Sequence, residues 1–221
     1  MVRESFGRHI KELEEEVKDM SGMVITAINR SVEALKSRNV DDAKQIIDAD
    51  VLINKKRWDT EEKCINLIAR QQPVATDLRE IIAVLNIITD LERMGDYAEG
   101  IAKIVILLGD EPLLKPLVDI PLMAQKATAM LSKSIEAFVG RDAKAAEAIC
   151  DEDDEVDRLY DQVYRELLTY MIEEPATISR ATYLIWAAHN VERIADRVTN
   201  ICERIVFLVT GTMREVNVSR Y

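Results

Sequence analysis

Apolar residues recur along this chain at steps of three and four, the spacing of one face of an α-helix. The first run is Ile10, Leu13, Val17, Met20, Val24, Ala27, Ile28, Val32 and Leu35. The stretch Ser37-Arg38-Asn39-Val40-Asp41 interrupts it and supplies capping side chains for a second helix. That helix runs through Ile46, Ile47, Val51, Trp58, Ile65 and Ile68 and ends before Pro73. Thr76 or Asp77 is the expected N-cap of a third helix, apolar nearly all round from Leu78 to Leu91 and therefore the most buried. Gly109, Pro112, Pro116 and Pro121 mark a linker, after which the pattern restarts. Met123 to Val139 is amphipathic, Ala143 to Met171 follows as one segment, and Ser179 to Val209 closes the chain.

The second half repeats the first. Glu92-Arg93-Met94-Gly95-Asp96 matches Glu192-Arg193-Ile194-Ala195-Asp196 at an offset of 100. Upstream the offset is 103, pairing Arg38 with Arg141, Asp48 with Asp151 and Asp50 with Asp153. A tandem duplication with one small insertion in a turn accounts for both offsets. The expected fold class is all-α, two tandem three-helix bundles, with the first repeat over 1–110 and the second over 117–221.

Composition agrees with long helices, because only 7 Gly and 5 Pro occur among 221 residues. With 48% hydrophobic residues the chain has material for a packed core. A net charge of −11 without a compensating basic patch argues against nucleic acid and anionic membrane surfaces as partners. No apolar run is long enough to span a bilayer, and the Glu- and Lys-rich start lacks a signal-peptide core, so a cytoplasmic location is expected. Cys64, Cys150 and Cys202 are widely spaced and read as buried thiols in a reducing compartment.

Acidic residues stand where the helical stripes should be apolar. Asp50 and Asn54 do so on the second helix, Asp153 and Asp157 on its counterpart. Glu92 and Asp96, and Glu192 and Asp196, follow the long apolar runs of the third helices. A spacing of four puts both members of a pair on one face. Two such pairs on packed helices need neutralising, and oxygen ligands suit hard divalent cations or iron. The plainer reading also has weight, since roughly seven such acid pairs arise by chance in so acidic a chain and most charges are solvated. Arg93 and Arg193 offer an alternative counterion. His9 and His189 are the only histidines, and neither sits in the Glu-x-x-His spacing of ferritin-like di-iron helices. His189 reads as a packed or capping residue. No P-loop, nucleophile elbow or dinucleotide fingerprint occurs.

The string Arg70-Gln71-Gln72-Pro73-Val74-Ala75-Thr76-Asp77-Leu78-Arg79, followed by Leu91-Glu92-Arg93-Met94-Gly95-Asp96, resembles the signature of the PhoU family. The resemblance covers both halves, the second departing in Pro175-Ala176-Thr177-Ile178-Ser179-Arg180. It implies a non-enzymatic cytoplasmic regulator of phosphate uptake. Such a regulator acts negatively on the ATPase subunit of the phosphate ABC transporter and on the associated sensor histidine kinase, commonly as a homodimer. It further implies iron or zinc, or another divalent cation, held by Asp50, Asn54, Glu92 and Asp96 in one site and by Asp153, Asp157, Glu192 and Asp196 in the other. Asn54 brings one charge fewer, so the first site is expected to bind more weakly. Two other readings stay open: a carboxylate-bridged metalloenzyme, and a metal-free helical adaptor whose acids are solvated.

Overall fold

The computed structural model describes residues 2–109 and 111–213. The outer limits expected for the two repeats at 1, 110 and 221 lie outside these residues. Among the described residues the chain is helical, with no strand: α1 (Val2–Ser37), α2 (Val40–Gln71), α3 (Thr76–Leu108), α4 (Asp119–Gly140), α5 (Ala143–Cys150), α6 (Asp153–Glu173) and α7 (Ile178–Thr210), with a short 3₁₀ turn at Pro175–Thr177. Helices α1, α2 and α3 form one bundle, and α4, α5/α6 and α7 the other. The third helices α3 and α7 make the most extensive contact in the molecule.

Matched details show how closely the two bundles repeat one design. Asn39 and Asp142 cap the second helices by accepting the backbone N–H of Asp42 and Ala145, each at 3.0 Å. The preceding Arg38 and Arg141 both adopt left-handed backbone, φ 58° and 53°. The buried hydroxyls of Ser31 and Ser134 donate to the Ile28 and Leu131 carbonyls. These pairs all obey the offset of 103.

At the centre α3 and α7 run antiparallel. Asp90 meets Arg197 at 3.3 Å and Asn200 at 3.5 Å. At the mirrored position, a Cβ on Gly100 would lie 3.0 Å from the Asn190 amide, so glycine lets the helices approach there. The bundles are also tied at their ends. Arg141, in the turn after α4, pairs with the buried Glu80 of α3. In the mirrored place Arg38 and Arg180 are both cations, and the linker residue Glu111 joins them. Its carboxylate takes Arg180 at 3.3 Å and its carbonyl accepts from Arg38 at 3.4 Å.

Several expectations need correction. The segment from Ala143 to Met171 is not continuous, because α5 ends at Cys150 and α6 begins at Asp153. The ladder tightens there, with Glu152 N bonded to the Ile149 carbonyl and Glu155 N to that of Glu152. Residues 151–155 are five consecutive acids, which a helix N-terminus tolerates far better than a helix interior or C-terminus. The first repeat has only Asp48 and Asp50 in that stretch, and α2 stays whole. On α2 the buried face is Ala43, Ile46, Ile53, Thr60, Cys64 and Leu67, while Val51, Trp58 and Ile65 point to solvent. Neither Thr76 nor Asp77 caps α3. Ala75 holds that place with φ 49° and no side-chain bond. Pro121 lies in the first turn of α4, where a missing N–H is harmless, rather than in the linker.

Candidate functional site

Each acid set sits where a third helix crosses the second helix of its own bundle. In the first repeat Asp50 projects from α2 toward Glu92 and Asp96 of α3. A Cβ on Gly95 would stand 3.2 Å from Asp50 Oδ1, so the two helices approach closely at this level. Burial raises the Asp50 pKa, and the charges of Asp96, Glu99 and Glu92 add to it. Asn54 Nδ2 opposes that by donating to Asp50 Oδ2 at 2.6 Å. Arg93 contacts Asp96 at 3.2 Å and Glu92 at 3.6 Å. The first set is therefore partly neutralised by the protein's own amide and guanidinium.

The second set is more charged and deeper. Asp153 opens α6 and is 5% exposed, and Glu192 on α7 is 9% exposed. Asp153 Oδ1 and Glu192 Oε2 are buried without a hydrogen-bond donor. His189 Nδ1 stands 3.2 Å from Glu192 Oε2 but lacks hydrogen-bond alignment. Burial pushes Asp153 up to about 7, and Asp157, Asp196 and Glu192 reinforce the shift. Glu192 also rises to about 7, through burial and then the charges of Asp196 and Asp157. Asp157 and Asp196 are raised mainly by burial, and for Asp196 the cations Arg193 and Arg197 pull the other way. Arg193 pairs with Asp196 at 2.9 Å.

His189 differs from its expected packed role. Its side chain is 52% exposed, its ring lies 5.9 Å from that of Tyr160, and burial beside Arg193 lowers its pKa. Sequence spacing also missed Tyr97, Asp90, Arg197 and Glu99. Tyr97 lies beside the guanidinium groups of Arg197 and Arg193; burial alone would raise its hydroxyl pKa, and these two cations lower it. Tyr97 lies one residue past the Glu92–Asp96 motif, and nothing in the spacing alone marks a tyrosine that reaches across to the other repeat.

The donor chemistry of the second set fits a hard divalent cation. The set supplies four carboxylates whose charges act on one another, and two buried oxygens lack donors, an arrangement that costs free energy unless a cation or proton is supplied. Among the described residues no group of three or more His, Cys, Asp or Glu side chains already stands as a metal shell. To hold a cation, these carboxylates would have to come closer together. The first set fits less well, because Asn54 and Arg93 already supply opposing partners.

Comparisons with known proteins agree with this two-repeat plan. The PhoU domain family model matches residues 17–105 and again 120–205. A protein of Aquifex aeolicus named phosphate-specific transport system accessory protein PhoU homolog is 42% identical over 204 residues, 92% of each chain. A Clostridium acetobutylicum protein of the same name is 37% identical over 98% of this chain and 100% of its own length. The crystal structure of PhoU from Pseudomonas aeruginosa superimposes with a TM-score of 0.88 at 35% identity, covering 94% of this chain and all of that one. The regulatory protein PhoU from Streptococcus pneumoniae gives a TM-score of 0.88 at 31% identity. Near-complete coverage, two matches to one domain and shared architecture together establish that the chain belongs to the PhoU family.

Proposed function

We propose that this protein is an accessory regulator of phosphate-specific transport that works by binding other proteins. The observation that carries the reading is end-to-end similarity to proteins named for that accessory role. The regulator acts in the cytoplasm as a homodimer. It restrains uptake and the phosphate-starvation response by contacting the transporter's ATPase subunit and the sensor histidine kinase. No helix of the described residues is long and apolar enough to cross a membrane, which is compatible with work at the cytoplasmic side of a transporter.

Metal belongs to this reading as a structural cofactor. Asp153, Asp157, Glu192 and Asp196 hold iron or zinc, or another divalent cation, with Asp50, Asn54, Glu92 and Asp96 as a weaker second site. The bound cation supplies positive charge that lets the buried Asp153 and Glu192 stay ionised at neutral pH. The chain's own groups then set geometry: Arg193 orients Asp196, and the α5–α6 break places Asp153 at a helix start.

The test mixes purified full chain with the transporter's ATPase subunit, and separately with the kinase, at saturating phosphate. Stable complexes that weaken when phosphate is withdrawn support the proposal. Failure to associate with either partner overturns it.

A further inference from the structure

Between α1, α2 and α3 lies a cleft of about 450 Å³, within the size range of ligand pockets. Its walls include Met23, Ala27, Ile46, Ala49, Leu52 and Ile53. The lining stretch of α1 runs from Asp19 to Arg30, about 16 Å at 1.5 Å per residue. That is three helical turns. Gly22 also lines it, and a Cβ there would meet nothing within 4 Å. On the α2 side, Leu52 is 56% exposed at the cleft and its neighbour Val51 60% exposed.

The second repeat serves as an internal control. Applying the offset of 103, Met23 and Leu52 correspond to Lys126 and Glu155, and Arg30 and Ala49 to Lys133 and Glu152. Lys126 pairs with Glu155, and Lys133 with Glu152 at 2.8 Å, so two ion pairs bridge the same helices there. Ala27 corresponds to the larger, buried Met130. The fold does not require an open cleft at this place. At the closing positions the first repeat has Met23, Ala27, Ala49 and Leu52, and Arg30, in the place of Lys133, pairs with Asp42 instead of crossing the cleft.

Charge restricts the occupant. The carboxylates of Asp19, Asp50 and Glu99 line the cleft, against one cation, Arg30, which is engaged by Asp42. Asp19 and Glu99 are matched by Lys56 and Lys103 on their own sides. Among the described residues no cation pairs with Asp50. An apolar trough three turns long, with the Asp50 carboxylate as its one charge lacking a cation partner among the described residues, suits a helix laid in a groove, carrying apolar anchors at i, i+3/i+4 and i+7 and basic residues beside them. We propose that this cleft docks a basic amphipathic helix of a partner protein. The surface goes beyond the regulatory reading above, because it assigns both a place and a chemistry to the contact.

The test measures binding of a fluorescent synthetic Leu/Lys amphipathic helix, and of its Leu/Glu counterpart, to the full chain by anisotropy. The decisive variant is Met23→Lys with Leu52→Glu, which installs the ion pair of the second repeat and leaves net charge unchanged. Non-specific attraction to an acidic protein is therefore the same in both proteins. A second variant, Ala27→Met, fills the trough with the residue the second repeat uses. Circular dichroism confirms that each variant is folded. The Leu/Lys helix should bind the parent, the Leu/Glu helix should not, and both variants should weaken binding at least about tenfold. The proposal is overturned by equal binding to parent and double variant, by no binding to the parent, or by equal binding of the acidic helix. A parent homodimer dissociated by the double variant also overturns it, assigning the cleft to a second copy. The assay contains no transport component, so its outcome is separate from that of the regulatory reading.

Discussion

Replacing Asp153 by Asn should make the metal-free protein more stable, and increasingly so as pH rises. Asp153 is buried among like charges, with its pKa near 7 instead of the ordinary 3.8. The folded state holds this proton more tightly than the unfolded chain. Its contribution to stability is complete below about pH 3.8 and is lost progressively as pH climbs through about 7. At about 1.4 kcal/mol per tenfold, full ionisation in the folded state costs at most ~4 kcal/mol. Repulsion shared with Glu192, Asp157 and Asp196, and relaxation around the site, reduce a usable figure to about 2 kcal/mol. Asp153→Asn keeps the shape and removes the charge. In chelator at pH 8 it should gain about 2 kcal/mol over the parent in urea unfolding, a midpoint shift of roughly 5 °C on heating. Near pH 5 the gain should shrink to less than about half. An Asn variant no more stable than the parent at pH 8, or a gain that does not grow with pH, would refute the claim that the site is an uncompensated buried charge.

Two further perturbations address the scaffold. Arg141→Ala strips the partner from buried Glu80 and should destabilise by about 2 kcal/mol in urea, below the range for fully buried pairs because Arg141 is itself 42% exposed. An unchanged midpoint would mean that the tie between bundles contributes nothing. On α2, Ile53→Ala should cost about 2–4 kcal/mol, while Trp58→Gln should stay within about 0.5 kcal/mol; the reverse order would put the wrong face of α2 in the core.

Much of the fold was legible because duplication and periodicity reinforce each other. The ERxxD string at Glu92 and Glu192, and the breaks at Arg38 and Arg141, fixed the repeat without any contact information. The errors have physical causes. Val51, Trp58 and Ile65 are heptad-spaced and apolar, and spacing alone does not say whether such a stripe faces a core or solvent. The α5–α6 break depends on five successive acids, a local electrostatic cost that a hydrophobic pattern does not register. Within the candidate site, Asp50, Asn54, Asp153 and Asp157 stood out by intruding into apolar stripes, and Glu92, Asp96, Glu192 and Asp196 by following long apolar runs, while their grouping into two sets came from the family resemblance. Their inequality was only half readable: Asn54 hinted at it, but the Arg93 contacts and the donorless oxygens of Asp153 and Glu192 need three dimensions. Tyr97, Asp90 and Arg197 escaped because they act across the contact between repeats, where one helix's spacing carries no information about the other.

Elemental analysis of protein purified without chelator or histidine tag decides whether the paired carboxylates hold a cation. It should be paired with a variant carrying Asp153→Asn, Asp157→Asn, Glu192→Gln and Asp196→Gln. Iron or zinc is expected at or above one equivalent per chain in the parent, most of it lost in the variant although circular dichroism shows the same helicity. Equal metal content in two folded proteins, or none in either, would contradict this expectation and leave these carboxylates as buried charge without a cation.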